Sequence, residues 1–157
     1  MQTFLPYPDF RRTARVLDPR RLGKQRVEAY QVLRAFHVPG YGWQHHPVVR
    51  MWRGHEDALA AYGVEVCREW IARGHADTVL ESILETHGRE TLAQAELRRR
   101  GLLPAWLGRR AFHRSHQSAL LRKDPDWYRR HFPNVPDDLP YVWPNGGGSD
   151  AGVPPEP

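Results

Sequence analysis

The sequence predicts an all-α fold, a single compact helical domain with an extended N-terminal arm and a disordered C-terminal tail. Three observations favour this fold class. Apolar residues recur at helical intervals over most of the chain, which is the period of amphipathic helices. Asp, Thr and Pro stand before several of these stretches and Gly stands after them, as at helix ends. No pair of alternating stretches predicts neighbouring strands, and 157 residues amount to one domain.

The arm and the first helix come first. Residues 1–17 contain two prolines and lack a clear period, so we expect an extended arm laid across the body. Asp18 is typical of an N-cap and Pro19 of the first helical position. A helix is therefore predicted over residues 18–36, and the sequence VPGYG at residues 38–42 ends it. Its predicted apolar face consists of Leu22, Val27, Tyr30, Leu33 and Phe36.

The remaining helices follow from the same signals. A long helix is predicted from Pro47 to Arg73, ended by Gly74, and we expect it to be the central strut. Thr91, with Gln94 three residues on, forms a capping box for a later helix. The shorter predicted helices cover residues 78–87, 91–101, 106–123 and a short stretch from residue 124.

The C-terminal part divides into two kinds of sequence. Residues 1–144 are predicted to form the folded domain, and residues 145–157 a disordered tail rich in Gly and Pro. Just before the tail, Tyr141 and Trp143 lie in a run framed by prolines. We expect this aromatic pair to dock on the body.

The distribution of charge predicts a nucleic-acid partner. The net charge is +5 and the pI is about 9.8. Residues 1–132 contain all 23 basic residues but only 14 of the 18 acidic ones, a net charge of +9. Such an excess favours an anionic partner, most simply double-stranded DNA.

The single cysteine and the lack of long apolar runs exclude several classes of protein. Cys67 lies in an apolar periodic stretch and is interpreted as a core residue, so neither a disulfide nor a cysteine metal site is predicted. No apolar run approaches the ~20 residues that span a bilayer. We therefore expect a cytoplasmic protein without membrane contact, cofactor or metal, and a monomer.

The most informative stretch opens the first helix. Lys24 and Glu28 are four residues apart and share one helix face, close to Arg20, Arg21 and Arg26. An amine and a carboxylate beside a phosphate backbone are able to attack a sugar carbon and remove its proton. The alternative interpretation is a solvated salt bridge.

Two histidine-containing stretches are further candidates for contact with DNA. His45 and His46 precede a predicted helix, where they either cap it or contact phosphate or base. With His55 they lack the convergent spacing of a zinc site. Residues 112–118 offer a polar face for DNA or for packing, and a Ser/His hydrolase is disfavoured because no glycine-framed elbow or acid partner is present. The predicted DNA contacts from this region are His113, Arg114, Ser115, His116, Arg122 and Lys123.

From residue 1 to about residue 132 the chain resembles the pyrimidine-dimer DNA glycosylase family, of the phage endonuclease V type, and more closely its compact bacterial members. Three segments carry the resemblance through their order and spacing: the arm followed by residues 22–28, the segment that ends at residues 69–74, and residues 124–128. The resemblance implies a compact all-helical fold with the terminal amine close to a glutamate, here Glu28.

The resemblance also implies a mechanism. The amine attacks the anomeric carbon, expels a damaged or modified pyrimidine and leaves a Schiff base, and Glu28 assists strand breakage by β-elimination at the abasic site. A free α-amine, with a pKa of about 7.7 to 8.0, is partly unprotonated at neutral pH. The nucleophile is left open between Lys24 and the amine of Met1, Gln2 or Thr3. Arg20, Arg21 and Arg26 would hold the backbone, while Lys24 and Gln25 line the pocket.

Two other functional classes remain open at the level of sequence. One is a nucleic-acid-binding module without catalysis, which would tolerate the loss of Glu28. The other is a hydrolase or nuclease that acts on a different nucleic-acid substrate.

Overall fold

The computed structural model describes residues 1–144 and is all-helical over that range, which confirms the predicted fold class. The predicted tail at residues 145–157 lies outside the described residues. The helices are α1 (Phe10–Val16), α2 (Pro19–His37), α3 (Pro47–Trp52), α4 (Glu56–Ala72), α5 (Val79–His87), α6 (Gln94–Arg99), α7 (Arg110–Lys123) and α8 (Pro125–Tyr128).

Helix α2 begins as predicted. One carboxylate oxygen of Asp18 accepts hydrogen bonds from the backbone N–H groups of Arg20 and Arg21, at 3.0 and 3.2 Å. The predicted apolar face is wrong at Val27, which is 41% exposed. The buried stripe instead runs through Gln25 and Glu28, two polar residues that a hydrophobic pattern does not count.

The predicted extended arm contains a helix, α1. Asp9 caps it by accepting from the N–H of Arg12 at 2.7 Å, and this N-cap signal was not used in the prediction. Phe10 and Ala14 from α1 are buried in the core. Of the predicted arm, residues 1–9 and Leu17 lie outside a helix.

The predicted long helix over residues 47–73 is also wrong, because it is two helices. The chain breaks after α3 at Gly54, whose φ of +83° is favoured by glycine, and α4 begins at Glu56. Helix α4 then packs against α1, α2, α5 and α6, so the expected central strut is the second half of the predicted helix. Cys67 of α4 is buried, as expected, and burial is the first cause that raises its pKa to about 12.

Two helix starts differ from prediction because the expected residues have other partners. Helix α6 begins at Gln94 and not at Thr91, since the Gln94 side chain accepts from the N–H of Phe10 and donates to the carbonyl of Pro8, both at 2.8 Å. Helix α7 begins at Arg110. The preceding Trp106 is buried, and its indole donates to the carbonyl of Met51 at 3.2 Å.

Helix α8 fixes the start of α2. The Tyr128 hydroxyl donates to the Asp18 carboxylate at 2.5 Å and accepts from the Asp18 N–H at 2.9 Å. Both residues are buried. These two hydrogen bonds join α8 to the first turn of α2, the helix that carries Lys24 and Glu28.

Candidate active site

Glu28 is the centre of the candidate site. It is only 5% exposed. Lys24, one turn earlier on the same face of α2, places its Nζ 3.5 Å from Glu28 Oε1, with its own side chain 66% exposed. Gln25 Nε2 donates to the other carboxylate oxygen, Oε2, at 2.7 Å. The carboxylate of Glu28 is therefore almost fully buried, while Lys24, the cation beside it, is exposed to solvent.

Gln25 connects this carboxylate to the N-terminal segment. The residue is fully buried, and its Oε1 accepts from the backbone N–H of Phe4 at 2.9 Å and lies 2.8 Å from the hydroxyl of Tyr62. Because the carbonyl oxygen faces these two donors, the amide nitrogen must face Glu28. Tyr62 also lies 2.8 Å from the Phe4 carbonyl.

Two histidines of α7 hold the next residue of the N-terminal segment, Leu5. Its N–H donates to His116 Nδ1 at 2.9 Å, and its carbonyl lies 2.7 Å from His113 Nδ1. His113 Nε2 accepts from the N–H of Gly108 at 2.8 Å, so Nδ1 carries the proton that goes to Leu5. Both histidines must be neutral to make these bonds. Burial is the main cause that lowers their pKa values, most strongly for His116.

The first residues of the chain thus pass through the interior and do not lie across the surface as expected. The hydroxyl of Thr3 accepts from the indole of Trp52 at 3.0 Å, and Gln117 donates to the carbonyl of Pro6 at 2.8 Å. Gln2 is 7% exposed. The backbone of the N-terminal segment is consequently held in place by the fold from Thr3 to Pro6.

The charge of the terminal amine contributes to the pKa shifts of Glu28 and His46. Burial is the largest cause of the raised pKa of Glu28, and the charges of Lys24 and of the amine oppose it. At His46, burial and then the charge of the amine lower the pKa. A carboxylate with a raised pKa is a better proton acceptor near neutral pH than an ordinary glutamate.

A cluster of cations surrounds this carboxylate. Burial is the first cause that lowers the pKa of Lys123, followed by the charges of Arg21 and Lys24, while Glu28 raises it. Since these residues come from α2 and α7, the fold brings together two groups of cations that are a hundred residues apart in sequence. Arg20 is exposed on the first turn of α2.

Several of the predicted DNA contacts have partners within the fold. Arg26 forms an ion pair with Asp77, and its guanidinium lies 4.3 Å from the centre of the Trp70 ring. Gln25, His113, Ser115 and His116 are buried and hydrogen-bonded to other residues of the protein.

The remaining predicted residues lie at the edge of the site. His46 Nδ1 accepts from the N–H of Val48 at 3.1 Å and so caps α3. His45 is exposed beside it, and Arg114 is half-buried on α7. Arg122 donates to Ser118 and to the carbonyls of two residues near the C-terminus.

These carbonyls belong to Asp137 and Leu139, and Leu139 begins a segment that we call the strap, residues 139–143. Its backbone N–H groups at Leu139 and Val142 donate to Ser118 at 3.0 Å and to Ser115 at 3.1 Å. Tyr141 is buried and stacks on His116, with ring centres 4.5 Å apart, so the predicted docking of the aromatic pair is confirmed. Sequence reasoning missed Tyr62 and Tyr141 as members of the site, because their aromatic character predicts only packing.

Among residues 1–144 no group of three or more potential metal ligands converges, and no helix is long and apolar enough to cross a membrane. Comparison with known proteins gives one informative match. A family model described as pyrimidine dimer DNA glycosylase matches residues 1–81, just over half of the chain. No curated protein and no solved structure shows significant similarity to the chain. The matched part includes the terminal amine, Lys24, Gln25, Glu28 and Tyr62.

Proposed function

Because the chain belongs to the pyrimidine dimer DNA glycosylase family, we propose that its terminal amine replaces a damaged pyrimidine at the sugar carbon and that the enzyme then breaks the strand at the abasic site. Membership of the family implies glycosylase activity on DNA. The proposed chemistry depends on one observation, the buried carboxylate of Glu28, which Gln25 links by hydrogen bonds to the backbone of Phe4 in the N-terminal segment.

The first step is nucleophilic substitution at C1′ of the damaged nucleotide. The unprotonated amine forms a bond to C1′ while the bond from C1′ to the base nitrogen breaks, and the departing base takes up a proton from water. The amine nitrogen is positively charged once this bond has formed. Glu28, whose pKa is raised mainly by burial, accepts the proton that this nitrogen then releases.

The second step breaks the strand. Glu28 returns its proton to O4′ as the C1′–O4′ bond of the sugar breaks, which leaves a protonated Schiff base between C1′ and the amine nitrogen. Removal of a C2′ proton then allows the bond from C3′ to the phosphate oxygen to break, and hydrolysis of the Schiff base restores the amine. Glu28 is the carboxylate at hand to remove the C2′ proton.

The cations around Glu28 bind the phosphate backbone of the DNA. Arg20, Lys24 and Lys123 lie at the exposed end of the site, where they neutralise phosphates on either side of the damaged nucleotide. Contacts of this kind fix the register of the duplex and are independent of its sequence.

Lys24 is the second candidate nucleophile, since its Nζ is 3.5 Å from Glu28. The terminal amine is preferred because an ordinary α-amine has the lower pKa, about 7.7 to 8.0 against 10.4 for lysine. Methionine is usually retained before a residue as large as Gln2, so the proposed nucleophile is the amine of Met1.

The experiment that tests this function is reductive trapping. The protein is mixed with a duplex that contains one abasic site, in the presence of borohydride, and covalent adducts are separated by mass. We expect an adduct of one protein with one DNA strand, because borohydride reduces a Schiff base to a stable amine. Tight binding without an adduct would instead favour a nucleic-acid-binding module without catalysis.

A further inference from the structure

The strap has no role in the chemistry described above, yet three side chains of α7 are used to hold it. Ser115 and Ser118 accept from its backbone, and Arg122 donates to the carbonyl of Leu139 at 3.2 Å. The strap lies outside residues 1–81, the part of the chain that the family model matches. It is therefore a feature of this chain that the family match does not explain.

The strap places two aromatic rings beside the residues that hold the N-terminal segment. Tyr141 stacks on His116, which holds the backbone of Leu5. Trp143 lies 4.8 Å from Tyr141 and 6.1 Å from His46, measured between ring centres. His46 in turn contacts Trp43, at 5.6 Å, which is 44% exposed. A continuous series of rings thus leads from the surface to the residues that hold the N-terminal segment.

Two buried polar atoms, one in the N-terminal segment and one in the strap, have no hydrogen-bond partner among residues 1–144. They are the indole Nε1 of Trp143, a donor, and the side-chain Oε1 of Gln2, an acceptor. Gln2 is itself only 7% exposed. Burying a polar group without a hydrogen bond is costly, and such groups are satisfied when a ligand of matching polarity binds. A pyrimidine base carries ring carbonyls that accept and, in thymine, an N3–H that donates.

We propose that Trp143 contacts the base that is to be excised, donating from its indole N–H to one of the carbonyl oxygens of that base, and that the strap thereby determines which base is accepted. The side-chain oxygen of Gln2, which also has no partner among residues 1–144, is the complementary acceptor. This inference deepens the proposed function and rests on it. A hydrogen bond suits the role because a pyrimidine keeps its ring carbonyls and its N3–H when it is damaged at C5 and C6.

The test uses the distinction between a nucleotide that still has its base and one that has lost it. Trp143→Ala is compared with wild type on a duplex that contains a thymine dimer, for base excision, and on a duplex with an abasic site, for borohydride trapping. Leaving one carbonyl of the bound base without its donor lowers the rate roughly 5- to 150-fold. We expect excision to fall about tenfold and the yield of trapped abasic adduct to stay at the wild-type level.

Trp143→Phe and Val142→Ala complete the design. The Phe variant keeps an aromatic ring and loses the N–H, so we expect excision to fall as far as in Trp143→Ala and trapping to stay unchanged. Val142 lies in the same strap, and its backbone N–H donates to Ser115 of α7, so replacement of its side chain controls for the seating of the strap and should leave both reactions unchanged. If Trp143→Ala fails to fold, as judged by its melting transition, the Phe variant decides the question.

Three results would overturn the proposal. Equal losses on both substrates would mean that Trp143 only supports the fold. Gains on both would make the strap an inhibitory cover, and a loss in Val142→Ala as large as that in Trp143→Ala would assign the effect to seating. Failure of the proposed function is recognised separately, since wild type would then give no adduct with abasic DNA.

Discussion

Gln25 donates a 2.7 Å hydrogen bond to Glu28, and the same side chain accepts from the backbone N–H of Phe4. One buried amide therefore orients the carboxylate and holds the segment that ends in the terminal amine. A single side chain on α2 thus links Glu28 to the N-terminal segment, which other buried side chains also hold.

Replacing Gln25 by Leu should separate binding from catalysis. The change leaves the N–H of Phe4 unpaired, so we expect the free energy of unfolding to fall by about 1–3 kcal/mol. Strand cleavage should fall strongly, because Glu28 and the amine lose their common support, while affinity for DNA is nearly kept. Denaturant unfolding and single-turnover cleavage measure these effects. Gln31→Leu, at a half-buried glutamine on the same helix, is the control, and an equal loss of cleavage there would contradict the positioning role.

Glu28→Gln should abolish strand cleavage without loss of stability at neutral pH. The pKa of Glu28 is raised mainly by burial, so ionisation of this group costs stability as pH rises through the raised pKa, and an amide avoids that cost. Cleavage by wild type should likewise fall as pH drops through the same raised pKa.

The control for that variant is Glu69→Gln, which removes a glutamate paired with Arg73 at 3.0 Å, also one turn apart. It should keep full activity. Wild-type cleavage by Glu28→Gln would remove the carboxylate from the mechanism.

The histidines that hold Leu5 predict a loss of stability in acid. Their pKa values are lowered by burial from the ordinary value of 6.5, so the unfolded state binds protons that the folded state does not. Stability should be complete above about pH 6.5 and fall as pH decreases towards the lowered values. Urea unfolding between pH 8 and 5, in the Glu28→Gln background that removes the opposing titration, measures it. Stability that is independent of pH over this range would contradict the assignment of neutral histidines.

Salt dependence should distinguish the cations that face DNA from those used inside the fold. Each phosphate neutralised contributes about −0.9 to the slope of log affinity against log salt. Lys123→Gln should therefore reduce the slope by about one. Arg26→Gln should leave the slope unchanged and lower stability, because Arg26 is paired with Asp77. Equal changes in slope for both variants would show that Arg26 also contacts DNA.

The sequence predicted those parts of the fold that depend on local signals. Asp18 and Pro19 marked the start of α2, and the spacing of Lys24 and Glu28 placed the two groups on one face. The capping box at Thr91 and Gln94 failed because Gln94 is used to hold α1, a contact between segments 84 residues apart in sequence. Local patterns carry no information about such partners.

The candidate site shows the same limit. Ser115 and His116 have the residue types of phosphate ligands, but the fold uses them to hold the strap and the N-terminal segment. Lys123 lies close enough to Lys24 and Glu28 for their charges to affect its pKa. This closeness depends on the packing of α7 against the start of the chain. Chemistry on one helix face was predictable, and the assembly of several segments around it was not.

The identity of the nucleophile is the most direct test of the central claim. Wild type, an N-terminally acetylated form and Lys24→Arg are each trapped with borohydride on abasic DNA, and the modified peptide is identified by mass. We predict an adduct on the N-terminal peptide in wild type and in Lys24→Arg, and none in the acetylated protein. An adduct that persists after acetylation and disappears in Lys24→Arg would contradict the account and assign the reaction to Lys24.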